Sequence, residues 1–313
     1  LVAKNTILKN KLIKKKNIQF IKMNNQTSSL SDIKIIRKKT NQKIKKGEII
    51  NIKKVNQKIG AIIVVRNASK RLPNKALKLI LGKSAIVHLI ERIKRCKNIN
   101  KIILATTKKK EDNIFLKIAR ENKIEIFRGD EINVSKRFLD AAAKHKLDHI
   151  VRITGDDILR DEIMIDKAID DHLSNSSDVT ITTNMPYGTP SEIFNIRSIK
   201  VIMENAAIPE NTEYLEWYLQ NTRYFNIYYS KSNYHFDKKI RLTLDYKEDL
   251  ILFKKIFENF KYHSYFSMND ILKYLSKNKK LIKINSTKKT KLKTFKNSKG
   301  LTSSIAINTE LNI

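Results

Sequence analysis

The chain has 313 residues, with 64 basic against 31 acidic groups and a formal net charge of +33. Hydrophobic residues make up 41%, enough for a packed core, and the lone cysteine, Cys96, excludes an internal disulfide and fits a reducing, cytoplasmic setting. No apolar run reaches the roughly 18–20 residues that a bilayer crossing needs.

The chain starts at Leu1 rather than methionine and is read as a fragment or a processed product. Three regions separate by pattern. The first, residues 1–56, holds a weak repeat. Ile7-Leu8-Lys9-Asn10-Lys11-Leu12-Ile13 followed by Ile18 matches Ile44-Lys45-Lys46-Gly47-Glu48-Ile49-Ile50 followed by Val55, at a constant offset of 37 residues. A short polar turn that leads into an apolar pair, twice, predicts a small β-rich module.

The second region, residues 58–286, alternates strand and helix signals. Ile59–Val65 is a continuous apolar run, as in a strand buried on both faces. Ala85–Arg95 puts Ile86, Leu89, Ile90 and Ile93 on one helical face. Strands are predicted at Lys101–Ala105, Ile124–Phe127 and His149–Ile153, with helices at Glu111–Glu121 and Val134–His145 between them. Such alternation predicts an α/β fold with a mostly parallel sheet and helices on both faces. Further on, Val179–Thr182, Phe225–Tyr229 and Arg241–Leu244 read as strands, and Thr212–Gln220 and Asp249–Phe260 as helices. The third region, residues 287–313, is lysine-rich and then Ser/Asn-rich, and is read as a tail.

Ligands of an open parallel sheet bind beyond the carboxyl ends of its strands. After the first strand comes Arg66-Asn67-Ala68-Ser69-Lys70-Arg71-Leu72-Pro73-Asn74-Lys75, four cations in ten residues. That suits a polyphosphate, since Arg grips oxygens in bidentate fashion and Lys acts as a point charge; an ordinary basic loop is the other reading. No G-x-G-x-x-G or G-x-x-x-x-G-K-[ST] is present, against a dinucleotide site and against a P-loop. Asp156 and Asp157 follow the fourth strand, and Asp245 follows Arg241–Leu244. Two carboxylates from separate strand ends facing a cationic loop can hold Mg²⁺, which takes few protein carboxylates and fills its shell with phosphate oxygens and water. Helix or turn capping is the competing account. The histidines lack metal-ligand spacing, His88 reads as a packed residue, and Ser69 has no triad pattern around it. The cations are dispersed without the interleaved aromatics of a single-strand platform, so a solvated basic surface is favoured over nucleic-acid binding.

Arg66-x-x-Ser69-x-Arg71-Leu72-Pro73-x-Lys75 resembles the opening signature of the sugar-activating cytidylyltransferases, in the branch of the spore coat polysaccharide biosynthesis protein F and acylneuraminate enzymes. Matches continue in order: Ala105-Thr106-Thr107; Phe127-Arg128-Gly129 with Val134, Arg137 and Phe138; Arg152-Ile153-Thr154-Gly155-Asp156; Gly188 with Glu192-Ile193-Phe194; and Arg241–Asp245 with Glu248-Asp249-Leu250. The resemblance implies a three-layer sandwich of the nucleotide-diphospho-sugar-transferase type. It also implies a homodimer that makes CMP-sugar and pyrophosphate from CTP and a sugar acid. By position, Arg66, Ser69, Arg71, Lys75, Thr106 and Arg128 would bind the nucleotide. Arg137, Gly188 and Glu192 would face the sugar, and Asp156 and Asp245 would hold Mg²⁺. Arg66, Arg71, Lys75 and Asp156 would carry catalysis. Leu1–Lys4 with Ile7, and Ile44–Ile50, are similar to the SAF (antifreeze-like) domain that ends sialic-acid synthases. Three departures stand out: Asp156-Asp157-Ile158-Leu159 lacks the usual proline, Glu213-Tyr214 replaces a Glu-His pair, and Ala68 replaces a common glycine. A cytidylyltransferase for a phosphorylated sugar or alcohol, and a non-catalytic nucleic-acid-binding protein, are the alternatives.

Overall fold

The computed structural model describes residues 2–19, 38–50, 56–69, 71–205, 215, 225–288, 295–296 and 302–303. All but Leu215 of the predicted helix at Thr212–Gln220, the Glu213-Tyr214 departure, Lys70 and most of the tail lie outside them.

A seven-stranded sheet forms the centre, in the order β11-β9-β10-β8-β3-β6-β7. Its members are β3 (Ile59–Val64), β6 (Lys101–Thr107), β7 (Glu125–Gly129), β8 (His149–Thr154), β9 (Val179–Thr183), β10 (Glu192–Asn195) and β11 (Ile227–Lys231). The sheet is parallel except for β10, which runs antiparallel to both β8 and β9. Alternation along β3 sends Ala61 and Ile63 into one core and Ile62 into the other, so both faces are covered, as the unbroken apolar run predicts. One face carries α1 (Ala85–Ile93), α2 (Ile114–Glu121), α4 (Glu162–Ser174), α6 (Lys247–Asn259) and α7 (Met268–Lys277); the other carries α3 (Val134–Lys144) and α5 (Ile196–Asn205). The predicted face of α1 is fully buried at Ile86, Leu89, Ile90 and Ile93.

Helix ends follow local chemistry. The Asn133 side chain accepts from the Lys136 amide at the start of α3, and Asp161 accepts from the Ile163 and Met164 amides at the start of α4. The sequence reading missed α4, whose buried Met164, Ile165, Ala168 and Ile169 are flanked by the buried polar residues Glu162 and His172. It also missed β10, α5 and α7. Arg241–Leu244, expected as a strand, makes one parallel bridge, Tyr187 with Arg241. The reason is that its amides bond to loops: Leu242 N donates to Tyr187 O (2.7 Å) and Leu244 N to Asp156 O (2.9 Å). Among the described residues no helix is long and apolar enough to cross a membrane.

Cys96 is buried, its sulfur 3.9 Å from the Glu162 carbonyl. His88, read as packed, bonds through Nε2 to Ile80 O (2.8 Å) and lies against the Phe257 ring. Two further histidines meet beneath α4. His149 Nδ1 lies 3.0 Å from His172 Nε2, and His172 Nδ1 lies 3.0 Å from Thr180 Oγ1. Burial, and then the neighbouring His149, hold the His172 pKa well below its ordinary value. The unfolded chain takes up a proton at His172 near pH 6.5 where the folded chain does not, so stability falls as pH drops below about 6.5. Thermal unfolding across this range should show a falling midpoint, and His172→Gln should flatten the fall.

In the N-terminal module the two repeat copies pair with each other. Ile7 N donates to Ile44 O and Ile44 N to Ile7 O, both 2.8 Å. Around this reciprocal pair further bonds recur at the 37-residue offset. Asn10 N→Thr40 O (2.8 Å) mirrors Gly47 N→Ala3 O (2.8 Å), and Thr40 N→Lys11 O (3.0 Å) mirrors Ala3 N→Glu48 O (3.0 Å). Bridges Leu12 with Lys39 and Ile49 with Val2 are related the same way. Asn10 (φ 63°) and Gly47 (φ 80°) occupy the equivalent left-handed turn position, which Asn and Gly tolerate. The module's two short strands, β1 (Val2–Ala3) and β2 (Ile18–Gln19), are antiparallel, and its core is Ala3, Ile7, Ile13, Ile18, Ile44 and Ile50.

Candidate active site

Strand order places the site. β6 and β7 lie on one side of β3 and β8 on the other, so the chain reverses direction across the sheet beside β3. The loops leaving β3 and β8 diverge there. Gly155 N donates to Val64 O (2.9 Å), which seats the turn after β8 against the end of β3.

The acidic pair predicted from sequence meets here. The Lys75 ammonium bridges the two carboxylates, in contact with Asp156 Oδ2 and 2.9 Å from Asp245 Oδ1. Arg71 Nη2 donates to Asp245 Oδ1 (2.7 Å) and Arg241 Nη2 to Asp245 Oδ2 (2.9 Å). Arg71 stays partly open to solvent, while Asp245 is buried. Burial opposes ionisation of Asp156, but the adjacent Lys75 ammonium outweighs it and holds the carboxyl below its ordinary value. Burial likewise opposes the charge on Lys75, and Asp156 and Asp245 together raise its pKa. A single cation shared by two carboxylates is the electrostatic arrangement a hard divalent ion would satisfy, with the rest of its shell left to water and phosphate. Among the described residues no cluster of three or more His, Cys, Asp or Glu could serve as a closed metal site.

A second layer fixes Asp245. Asp249 Oδ2 accepts from the Asp245 and Tyr246 amides (both 2.8 Å), and Asp249 Oδ1 accepts from Arg241 Nε (3.1 Å) and Asn285 Nδ2 (2.8 Å). Arg71 and Arg241 both lie over the Tyr246 ring. Asp249 lay in a matched motif without a role; its spacing at the third position of α6 is the capping signature that could have shown it. Asn285 carried no sequence signal.

The other predicted residues divide. Arg66 is exposed at the head of the loop, and its charge helps to lower the Arg137 pKa after burial; Ser69 is half-buried in the same loop. Thr106 is wholly buried and its hydroxyl has no partner among the described residues. Arg128 closes the loop after β6, donating through Nε to Thr107 O (3.0 Å) and through Nη2 to Lys109 O (3.2 Å). Arg137 is buried, with Nε bonded to Asp130 O (2.8 Å) and Nη2 to Glu131 O (3.2 Å). Glu192 pairs with Arg152 across β10 and β8 (2.7 Å).

Gly188 has a backbone role. Its φ is +91°, and a Cβ there would lie 2.6 Å from both Leu242 O and Thr243 Cβ. The loop around it thus presses against the segment that ends in Asp245. Gly188→Ala should destabilise the protein by about 2 kcal/mol or more, readable in denaturant unfolding.

Residues 60–298 match the cytidylyltransferase family. The chain is 26% identical over 224 residues to the spore coat polysaccharide biosynthesis protein SpsF of Bacillus subtilis, covering 69% of this chain and 93% of that one. It is 34% identical over 114 residues to 3-deoxy-manno-octulosonate cytidylyltransferase of Geobacter metallireducens, covering 36% of this chain and 43% of that one. A solved cytidylyltransferase from Leptospira borgpetersenii superposes with a TM-score of 0.68 at 27% identity, covering 75% of this chain and 99% of that one. With its mostly parallel sheet and its acidic pair at the sheet's carboxyl edge, the chain belongs to the cytidylyltransferase family.

Proposed function

We propose that the protein transfers a cytidylyl group from CTP to the hydroxyl of a sugar acid of the nonulosonic type, releasing pyrophosphate, with Mg²⁺ held by Asp156 and Asp245. The observation that carries this reading is the pair of carboxylates drawn onto one cation, Lys75, at the carboxyl edge of the sheet. The partial match to an enzyme named for an octulosonate supports an acidic sugar, and the match to a polysaccharide biosynthesis protein supports a role in surface polysaccharide synthesis.

In this reaction a sugar oxygen forms a bond to the α-phosphorus, the bond from that phosphorus to the bridging oxygen of pyrophosphate breaks, and the hydroxyl proton leaves to solvent. The protein's task is positioning and charge neutralisation. Arg71 and Lys75 are placed to receive phosphate oxygens, and each exchanges an Asp245 contact for a phosphate contact when nucleotide arrives. Arg66, exposed at the head of the same loop, would add a further cation for the phosphates. Bound Mg²⁺ supplies charge stabilisation at the reacting phosphate and the leaving group. Asp249 and Arg241 keep Asp245 aimed while its other partners exchange. Glu192 with Arg152 marks the sugar side in this reading, and residues 1–56 are read as the SAF-like module of a fused synthase.

Incubation with CTP, Mg²⁺ and a panel of sugar acids, followed by mass spectrometry, should yield a CMP-sugar and pyrophosphate. Product formed only from phosphorylated acceptors would replace this reading with the sugar-phosphate alternative. RNA affinity with no product from any acceptor would replace it with the nucleic-acid one.

A further inference from the structure

Beside the acidic pair lies a second buried charge pair, Asp157 with Arg160, that has no part in the reaction given above. Asp157 Oδ2 accepts from Arg160 Nη2 and from Thr154 Oγ1, both at 2.6 Å. Arg160 Nη1 reaches Ser191 Oγ at 3.4 Å. The backbone follows the same path: Asp157 N donates to Thr154 O and Arg160 N to Asp157 O (both 3.2 Å), while Leu244 N donates to Asp156 O (2.9 Å). One carboxylate therefore ties the end of β8 to its own turn, and that turn meets the second segment where the Asp156 carbonyl takes the Leu244 amide, one residue before Asp245. Through Arg160 the tie extends to Ser191, beside β10.

A buried pair of this kind is a weak stabiliser, since desolvation offsets most of its attraction. Arg160 Nε has no acceptor among the described residues, which weakens the case for stability further. What the pair does accomplish is geometric. The two segments that carry Asp156 and Asp245 come from parts of the chain some 90 residues apart, and the turn is joined to the second segment at Leu244.

We propose that Asp157 and Arg160 are positioning residues for the divalent-cation site: together they brace the Asp156 turn, whose carbonyl takes the Leu244 amide, so that both carboxylates present to one ion. This rests on the metal reading given above. Partners of this rank typically change metal affinity by about 10–100-fold.

The test uses the full chain with CTP and Mn²⁺ as the probe ion, without sugar. Free Mn²⁺ is followed by electron paramagnetic resonance, and CTP affinity is measured separately in chelator. Asp157→Asn and Arg160→Met, both close in volume to the residues they replace, should each weaken Mn²⁺ binding by about 10–100-fold. The double variant should be no weaker than the weaker single, because the pair acts as one unit. Metal-free CTP affinity should stay within about twofold of the parent. The proposal is overturned if both singles bind Mn²⁺ like the parent, or if metal-free CTP affinity falls in parallel, which marks general distortion. Loss in Asp157→Asn alone would make Asp157 a ligand and also overturn it. Asp156→Asn serves as the reference: if it leaves Mn²⁺ binding unchanged, the metal reading itself fails, separately from the positioning claim. Should Arg160→Met not fold, Arg160→Lys carries the same comparison.

Discussion

Asp245→Asn is expected to lower turnover by about a hundredfold or more while leaving the fold intact. The asparagine keeps the side chain's size and one acceptor oxygen, so Arg71 and Arg241 retain partial partners, but the charge that would hold a divalent ion is gone. Losing one ligand at a phosphoryl-transfer centre costs several kcal/mol of barrier, and about 2.7 kcal/mol is already a hundredfold. Steady-state pyrophosphate release, set beside a thermal unfolding midpoint, separates the chemical loss from a structural one. Alanine is the poorer probe. It would strand the Arg241 guanidinium, which is buried and bonded to Asp245 and Asp249, and removal of one partner from a buried pair destabilises strongly. Asp156→Asn should behave as Asp245→Asn does, and turnover close to that of the parent in both would remove the acidic pair from the reaction.

Lys75→Met should act on both function and stability, with opposite dependence on metal. The ammonium contacts Asp156 and Asp245 together, so its loss leaves two carboxylates facing each other. The Asp156 pKa, held down by Lys75, should then rise, because burial is no longer opposed. In chelator the variant should unfold at a lower temperature than the parent, and Mg²⁺ should raise that temperature by more in the variant than in the parent. A charge-assisted contact to phosphate is worth about 1.5–3 kcal/mol, so kcat/KM for CTP should fall roughly ten- to hundredfold even at saturating Mg²⁺. An unchanged melting profile in chelator would show that the bridge contributes no net stability.

The sheet was legible because its central strands are buried on both faces. Ile59–Val64 is an unbroken apolar run and His149–Thr154 is apolar at Ile150, Val151 and Ile153. The acidic pair was legible for the same reason: Asp156 and Asp245 each follow an apolar stretch, and matched motifs gave them an order. What escaped was whatever depends on cross-strand partners. β10 runs against its neighbours, a direction no local pattern encodes, and Arg241–Leu244 looks like a strand but spends its amides on Tyr187 and Asp156. Several matched residues proved to hold backbone in place: Arg128 and Arg137 bind carbonyls, and Gly188 allows a close approach. A motif records that a residue type recurs at a spacing, and a backbone clamp produces such recurrence as readily as a ligand contact does. Asp157 was noticed only as a carboxylate that capping could explain, Arg160 gave no signal, and Asn285 was silent because its partners, Arg241 and Asp249, are distant in the chain.

The N-terminal module carries a consequence of its own. Since the inter-copy hydrogen bonds about Ile7 and Ile44 occur twice, each half displays donors and acceptors that complement a replica of itself. A single half therefore meets its counterpart as one subunit of a two-fold homodimer meets the other, an isologous contact folded into one polypeptide. A substitution at the shared centre, Ile7 or Ile44, disturbs both halves at once, whereas one at the rim is felt only at its own end.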